Sequence, residues 1–330
     1  MKRLFITILI VSGLLCVKAQ TGLFFDSERL SSSLISAICQ DKTGYLWVGT
    51  DYGLNRFDGY RFTSYLNNRH DSTSLNYNVV VCLFCDNDGQ MWIGTGKGLQ
   101  RYEETTDRFI SYAFPDGHRP RVNDIIQMKD GRIMVGTAGY GLYEVKTGTN
   151  ELQQVYGYSP RNDSTYFSHI FEDSKGRFWK SGSVNDISVR LTNGRLKTYR
   201  HNFGTPTDFI EIDGRVTAVC RGNLVVFEGD KMITDFYDLS ILQGHIALRC
   251  ITTDRNGNII VGTRGNGLFW IPRGTRTMKR YPITAPDFDL NTSKVWSLHE
   301  DRNGNMWVGC QQKGLFMVSN QYCPKRFEQK

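Results

Sequence analysis

A short triplet centred on glycine recurs along this chain at nearly constant spacing, and no other feature restricts the possible folds as much. Val48-Gly49-Thr50 returns as Ile93-Gly94-Thr95, Val135-Gly136-Thr137, Val261-Gly262-Thr263 and, with a changed last residue, Val308-Gly309-Cys310. The intervals between successive glycines are 45, 42, 126 and 47 residues. Because 126 is three times 42, two degenerate copies are expected inside the long gap. Trp179-Lys180-Ser181-Gly182 and Cys220-Arg221-Gly222 are read as those two. A period of about forty residues with strand patterning marks a repeat whose units hide their apolar faces only against their neighbours. Seven units result, close to the size at which a ring of four-stranded blades closes around a channel.

Each unit runs in the same order: an apolar strand, an acidic turn ending in Gly, a Trp-bearing strand, a Gly-Leu turn and an aromatic-rich strand. In the first copy Leu34 to Gln40 alternates, Asp41-Lys42-Thr43-Gly44 turns, Tyr45 to Thr50 carries Trp47, Gly53-Leu54 opens the third strand, and Arg61 to Tyr65 is the fourth. The turn returns at Asp86 to Gly89, Asp173 to Gly176, Asp254 to Gly257 and Asp301 to Gly304, and in shortened form at Asp130-Gly131 and Asp213-Gly214. Gly supplies positive φ and Asp bonds its own turn. None of these turns has the oxygen-ligand spacing with a distant Glu that a calcium loop needs, so they read as structural and no metal is predicted. Trp47, Trp92, Trp179 and Trp307 occupy equivalent places, taken by Met134 and Ile260 in two other copies. A place that accepts Trp, Met and Ile demands volume and burial, which points to packing between blades rather than to sugar stacking. Cys82 and Cys85 show a C-x-x-C spacing, but an i, i+3 pair points to opposite faces of a strand, so they read as core thiols.

The fold expected is all-β: a seven-bladed β-propeller with four-stranded antiparallel blades at approximately 35–66, 78–113, 122–157, 166–200, 207–237, 247–282 and 294–320. A ring needs a latch, and Leu23-Phe24-Phe25 resembles the fourth strands that carry Phe62 and Phe109, so residues 22–26 are assigned as the closing strand of blade seven. Residues 1–19 read as an export signal: Lys2 and Arg3, an apolar run from Leu4 to Leu15, and the small-residue site Val17-Lys18-Ala19. The run is shorter than a membrane span, and cleavage would leave residues 20–330 as a periplasmic domain. Cys323 to Phe327 looks like the start of another outer strand, which implies that a longer protein continues beyond it.

The formal charge of +7 falls to +4 without Lys2, Arg3 and Lys18, a mild bias that fits an acidic ligand and not nucleic acid. In a propeller, the loops into the innermost strands and those between second and third strands share one face around the channel mouth. The candidate ligand residues there are Tyr52, Lys97, Arg121, Tyr140, Arg264, Asn266, Gln312 and Lys313. Forked donors suit carboxylate or sulfate groups and aromatic rings suit sugar faces. Catalysis finds little support: the histidines are scattered, and neither a G-x-S-x-G elbow nor an H-E-x-x-H pair occurs. No cofactor is predicted. Two alternatives stand beside ligand sensing: a scaffold propeller that makes inter-domain or dimer contacts, and a polysaccharide lyase or hydrolase, since fold alone does not settle function.

The run Ile35-Ser36-Ala37-Ile38-Cys39-Gln40-Asp41-Lys42-Thr43-Gly44-Tyr45-Leu46-Trp47-Val48-Gly49-Thr50, continuing to Gly59, closely resembles the two-component regulator propeller repeat. The resemblance recurs in Val79 to Tyr102 and Val295 to Phe316, weakens around Asn123 to Tyr143 and Ile251 to Trp270, and is poor between Tyr166 and Phe236. It implies the first propeller of a periplasmic sensor in a hybrid two-component histidine kinase, as in polysaccharide-degrading gut bacteria. Such receptors add a second propeller, a β-sandwich, a membrane span and phosphotransfer and DNA-binding parts, and act as homodimers. The implied ligand is an oligosaccharide, with this chain carrying no kinase itself.

Overall fold

The computed structural model describes residues 22–25, 28–156, 167–181, 185–243, 246–282 and 289–320. The export signal read at 1–19 and the segment from Cys323 to Phe327 lie outside the described residues. The chain forms seven antiparallel sheets of four strands each. Blades one to six are continuous in sequence, running from Ile35 to Tyr65, Val80 to Tyr112, Val122 to Tyr156, His169 to Arg200, Asp208 to Ile233 and Leu248 to Arg280. Blade seven takes three strands from Lys294 to Val318 and its fourth, Gly22–Phe25, from the other end of the chain. That strand runs antiparallel to Gly314–Val318, with Gly22 opposite Val318 and Phe25 opposite Leu315. The expected propeller, latched by its own N-terminal strand, is therefore the architecture.

The repeated triplet has a separate physical reason for each of its residues. Val48, Ile93, Val135, Val261 and Val308 are fully buried. The glycine after each is a point of close approach: a β-carbon on Gly49 would stand 2.6 Å from Val80 Cγ1, one on Gly262 2.6 Å from Val295 Cγ1, and one on Gly309 2.6 Å from Ile35 Cγ2. On Gly94 it would collide with Cys82 Sγ. The first strand of each following blade thus lies against the second strand of the one before, and the contact between Gly309 and Ile35 closes the ring. The third residue closes the next turn. Thr50, Thr95, Thr137 and Thr263 donate from Oγ1 to the carbonyls of Gly53, Gly98, Gly141 and Gly267 at 2.9, 3.1, 2.7 and 2.9 Å.

The acidic turn and the Trp are one device. Asp41 Oδ2 accepts from Trp47 Nε1 at 2.7 Å, and the same bond joins Asp86 to Trp92, Asp173 to Trp179 and Asp301 to Trp307, each at 2.8 Å. A buried indole N–H needs an acceptor, so each Trp at this place has its Asp. In blade three Met134 stands in the Trp place and Met128 in the Asp place. In blade six, where Ile260 replaces Trp, Asp254 Oδ2 accepts instead from Asn258 Nδ2 at 2.8 Å.

Aromatic packing holds the latch. Phe25 stacks on Trp307 of blade seven at 5.8 Å and meets Phe57 and Phe62 of blade one edge-on at 5.6 and 5.5 Å. At the turns between first and second strands, a residue near the end of an inner strand accepts from the turn of the preceding blade. Gln40 accepts from Arg302 N at 2.9 Å, as Gln127 does from Asn87 N at 2.8 Å and Glu172 from Lys129 N at 2.6 Å.

Blades four and five depart from the pattern, and one sequence assignment shifts. Cys220 pairs with Asn223 as Thr50 pairs with Gly53, so Ala218-Val219-Cys220 fills the triplet register and Cys220-Arg221-Gly222 does not. Gly222 lies in the turn, and Val219 stands in the glycine place. In blade four that place is Ser181, opposite His169. Glycine marks the place in the regular blades, but the place itself is defined by strand pairing, which Ser and Val also satisfy.

Candidate functional site

The inner strands of blades one, two, three, six and seven each carry a bulge, at Ser36, Val81, Asn123, Arg249 and Trp296. Blades four and five pair without a register shift. A bulge re-aims a side chain, and all five of these residues line the central channel, a cavity of about 1000 Å³. The five bulged blades are the five that keep the glycine, and each bulge residue lies 13 positions before it. From blades four and five the wall receives Ser168, His169, Thr205, Thr207 and Asp208 instead.

Two charge groups line the channel. The Arg249 guanidinium lies 4.3 Å from the Trp296 ring, and Arg264 lies 5.5 Å from the same ring. Arg249 Nε is buried without a hydrogen-bond partner. Burial lowers the Arg249 pKa, with Arg264 and Arg121 pushing the same way and Cys250 and Asp208 opposing. Arg121, at the start of blade three, donates from Nε to Asn123 Oδ1 at 3.2 Å. In the second group His169 Nδ1 lies 3.5 Å from Asp124 Oδ2. Asp124 accepts from the main-chain N–H groups of Ile125 and Ile170 at 2.9 Å each, and Asp208 from those of Phe209 and Ile251 at 2.9 and 3.0 Å. Burial raises the Asp208 pKa, opposed by His169 and the two main-chain bonds and reinforced by Asp124. These carboxylates stitch neighbouring inner strands together, as Ser36 Oγ does by donating to the Val80 carbonyl and Thr207 Oγ1 to that of Arg249, both at 2.7 Å.

Of the eight candidates read from the sequence, Arg121 and Arg264 line the channel. The other six stand on the turns after the second strands. Tyr52 is 58% exposed, and its N–H, like those of Lys97 and Asn266, is held by the triplet threonine. Lys97 Nζ sits 4.6 Å over the Tyr77 ring, and the Tyr140 ring lies 5.2 Å from His118. Gln312 takes a left-handed φ of 72°. Lys313 donates to the Asp289 carbonyl and Thr292 Oγ1 at 3.2 and 3.3 Å. Sequence reasoning missed Arg249, Trp296 and Asn123 because they read as ordinary strand residues. Their fixed offset from the glycine is the signal that finds them. Cys82 and Cys85 are free thiols, Cys82 on the channel wall and Cys85 packed against the cluster around Trp47.

Residues 29–52, 74–97 and 289–312 match the two component regulator propeller family. A 52-residue stretch is 54% identical to histidine kinase P4 of Formosa agariphila, covering 16% of this chain and 4% of the kinase. The fold superposes on the extracellular domain of a putative hybrid two component system from B. thetaiotaomicron with a TM-score of 0.78 at 20% identity, over 91% of this chain and 42% of that one. It also superposes on a catalytically inactive variant of virginiamycin B lyase from Staphylococcus aureus with a TM-score of 0.71 at 13% identity, over 91% of this chain and 98% of the lyase. At such identities both likenesses establish the fold, and the chain spans less than half of the sensor domain it resembles. The three matched segments cover the turns and triplets of blades one, two and seven, where glycine, bulge and the Trp–Asp bond all occur together, and in these segments the chain is similar to the two component regulator propeller family.

Proposed function

We propose that this propeller is a ligand-reading module of a hybrid two-component regulator, placed outside the inner membrane, and that its ligand is an oligosaccharide released from a glycan. In the whole receptor it would sit beside a second propeller and a β-sandwich in a homodimer, and the chain itself would carry no catalysis. The observation that carries the reading is the array of bulges. Five inner strands each carry an extra residue that places Ser36, Val81, Asn123, Arg249 or Trp296 in the channel. An indole beside forked donors and amide and hydroxyl groups is chemistry suited to a sugar.

Calorimetric titration of the purified chain with a panel of neutral and acidic glycan fragments tests this. The expected result is heat from one glycan class, weakened about tenfold or more in Trp296→Ala, since stacking on one aromatic is worth about 1–3 kcal/mol where it has been measured for bases. Turnover of a fragment would favour an enzyme. Silence across the panel, with the chain folded, would favour the scaffold.

A further inference from the structure

We infer that Arg121, Arg249 and Arg264 form an anion subsite at one mouth of the channel, backed by Trp296, that takes the carboxylate or sulfate group of a small acidic ligand. Three observations converge on it. First, the three side chains come from two blades far apart in sequence and line one cavity: Arg121 leads into blade three, Arg249 is the bulge of blade six, and Arg264 follows the triplet of that same blade. Second, no carboxylate among the described residues lies within 4.0 Å of any of them, although ion pairs of that kind occur elsewhere in the chain. The channel's own carboxylates, Asp124 and Asp208, are taken up by main-chain N–H groups. Third, Arg249 Nε is buried without a partner while its guanidinium is pinned on Trp296.

Burying one arginine beside two others is costly, and folding alone gives no return for it. An oxyanion does: guanidinium groups fork onto carboxylate and sulfate, and the indole face holds two of them in place beforehand. Arg249 supplies a partly desolvated donor whose bond to an anion gains from low local dielectric, whereas Arg121 and Arg264 are exposed and draw the anion in. The inference rests on the proposed function in placing the ligand at this mouth, and adds to it the acidic class of that ligand.

The test is titration of the full chain with inorganic sulfate, glucuronate, glucose and a neutral oligosaccharide, at an ionic strength held constant with sodium chloride. Parallel titrations use Arg249→Met and the double variant Arg121→Ala/Arg264→Ala. Sulfate and glucuronate should bind, each arginine removed should weaken binding about tenfold, and glucose should not bind. Stronger binding of sulfate than of glucuronate by the arginines would assign a sulfated ligand, and the reverse a uronate. The double variant changes only exposed side chains, so a folded protein is available even if Arg249→Met fails to fold. Equal sulfate and glucuronate binding by wild type and the double variant, or none by wild type, would overturn the subsite. If the neutral oligosaccharide binds both proteins equally while the anions do not bind, the subsite falls and the sensing role stands. If the anions bind through the arginines but no fragment of the neutral and acidic glycan panel does, the subsite stands and the sensing role falls.

Discussion

Blades one, two and seven set against blades four and five show how one repeat serves both closure and function. In the first group the glycine, the bulge and the Trp–Asp bond occur together, and the second strand of each lies under the first strand of the next. In blades four and five Ser181 and Val219 replace the glycine and no bulge forms. The ring nevertheless closes with seven sheets. Closure therefore depends on strand pairing and buried apolar layers, which blades four and five retain in Trp179, Val189, Val216, Ala218 and Val225. The bulge is a separate device, and its effect is to aim side chains into the channel.

Blades four and six also secure their turns differently, and the largest expected effect tests that difference. Asp173 of blade four is fully buried, bonds Trp179, and is paired with Arg177 at 2.6 Å, while Asp254 of blade six bonds only Asn258 and its own turn. Asp173→Asn should cost about 3–5 kcal/mol by urea denaturation at neutral pH, because it strands a buried guanidinium. Asp254→Asn should cost about 1 kcal/mol. Burial alone would raise the Asp173 pKa, but the Trp179 indole and the main-chain and side-chain N–H groups of Arg177 outweigh it and hold it below the ordinary carboxylate value. The folded value is thus the lower one, so its contribution is present above the unfolded value of about 4 and is lost as pH falls through the folded value. The gap between wild type and Asp173→Asn should narrow only below about pH 4. Equal losses at positions 173 and 254 would show that the turns are alike after all.

The next effect concerns the glycine. Gly94→Ala should destabilise by about 3 kcal/mol, the upper part of the overpacking range, since its β-carbon meets both Cys82 Sγ and, at 2.7 Å, Val122 Cγ1. Cys82→Ala removes one of the two obstacles. The double variant should therefore be more stable than the sum of the single losses, by about 0.5 kcal/mol or more in a thermodynamic cycle. Strict additivity would mean that close approach is not the reason for the glycine.

How far the sequence can be read follows the same division. The regular blades were legible because Gly49, Gly94 and Gly309 answer to a steric demand that no other residue meets, and because Trp47 to Asp41 is a fixed six-residue step. In blade five Val219 satisfies the same pairing without that demand, and the nearest glycine, Gly222, is a turn residue three positions further on. The channel residues were half legible. Arg121 and Arg264 stand on loops, where polar residues suggest binding, but Arg249 and Trp296 sit within strands, where a register shift alone decides whether they face core or channel.

The smallest effect separates the two roles within one strand. Val80 precedes the bulge of blade two, is 1% exposed and covers Gly49, whereas Val81 is the bulge residue and faces the channel. Val80→Ala should cost about 2 kcal/mol, as a lost core contact does when its surroundings cannot collapse. Val81→Ala should change stability by no more than about 0.5 kcal/mol, because its side chain supports no neighbour blade. If bulges serve the ligand and not the fold, the melting temperature will barely register Val81→Ala while a binding titration remains free to respond. A loss at Val81 as large as that at Val80 would return the bulge to the packing of the ring, and the channel would lose its claim to be a built site.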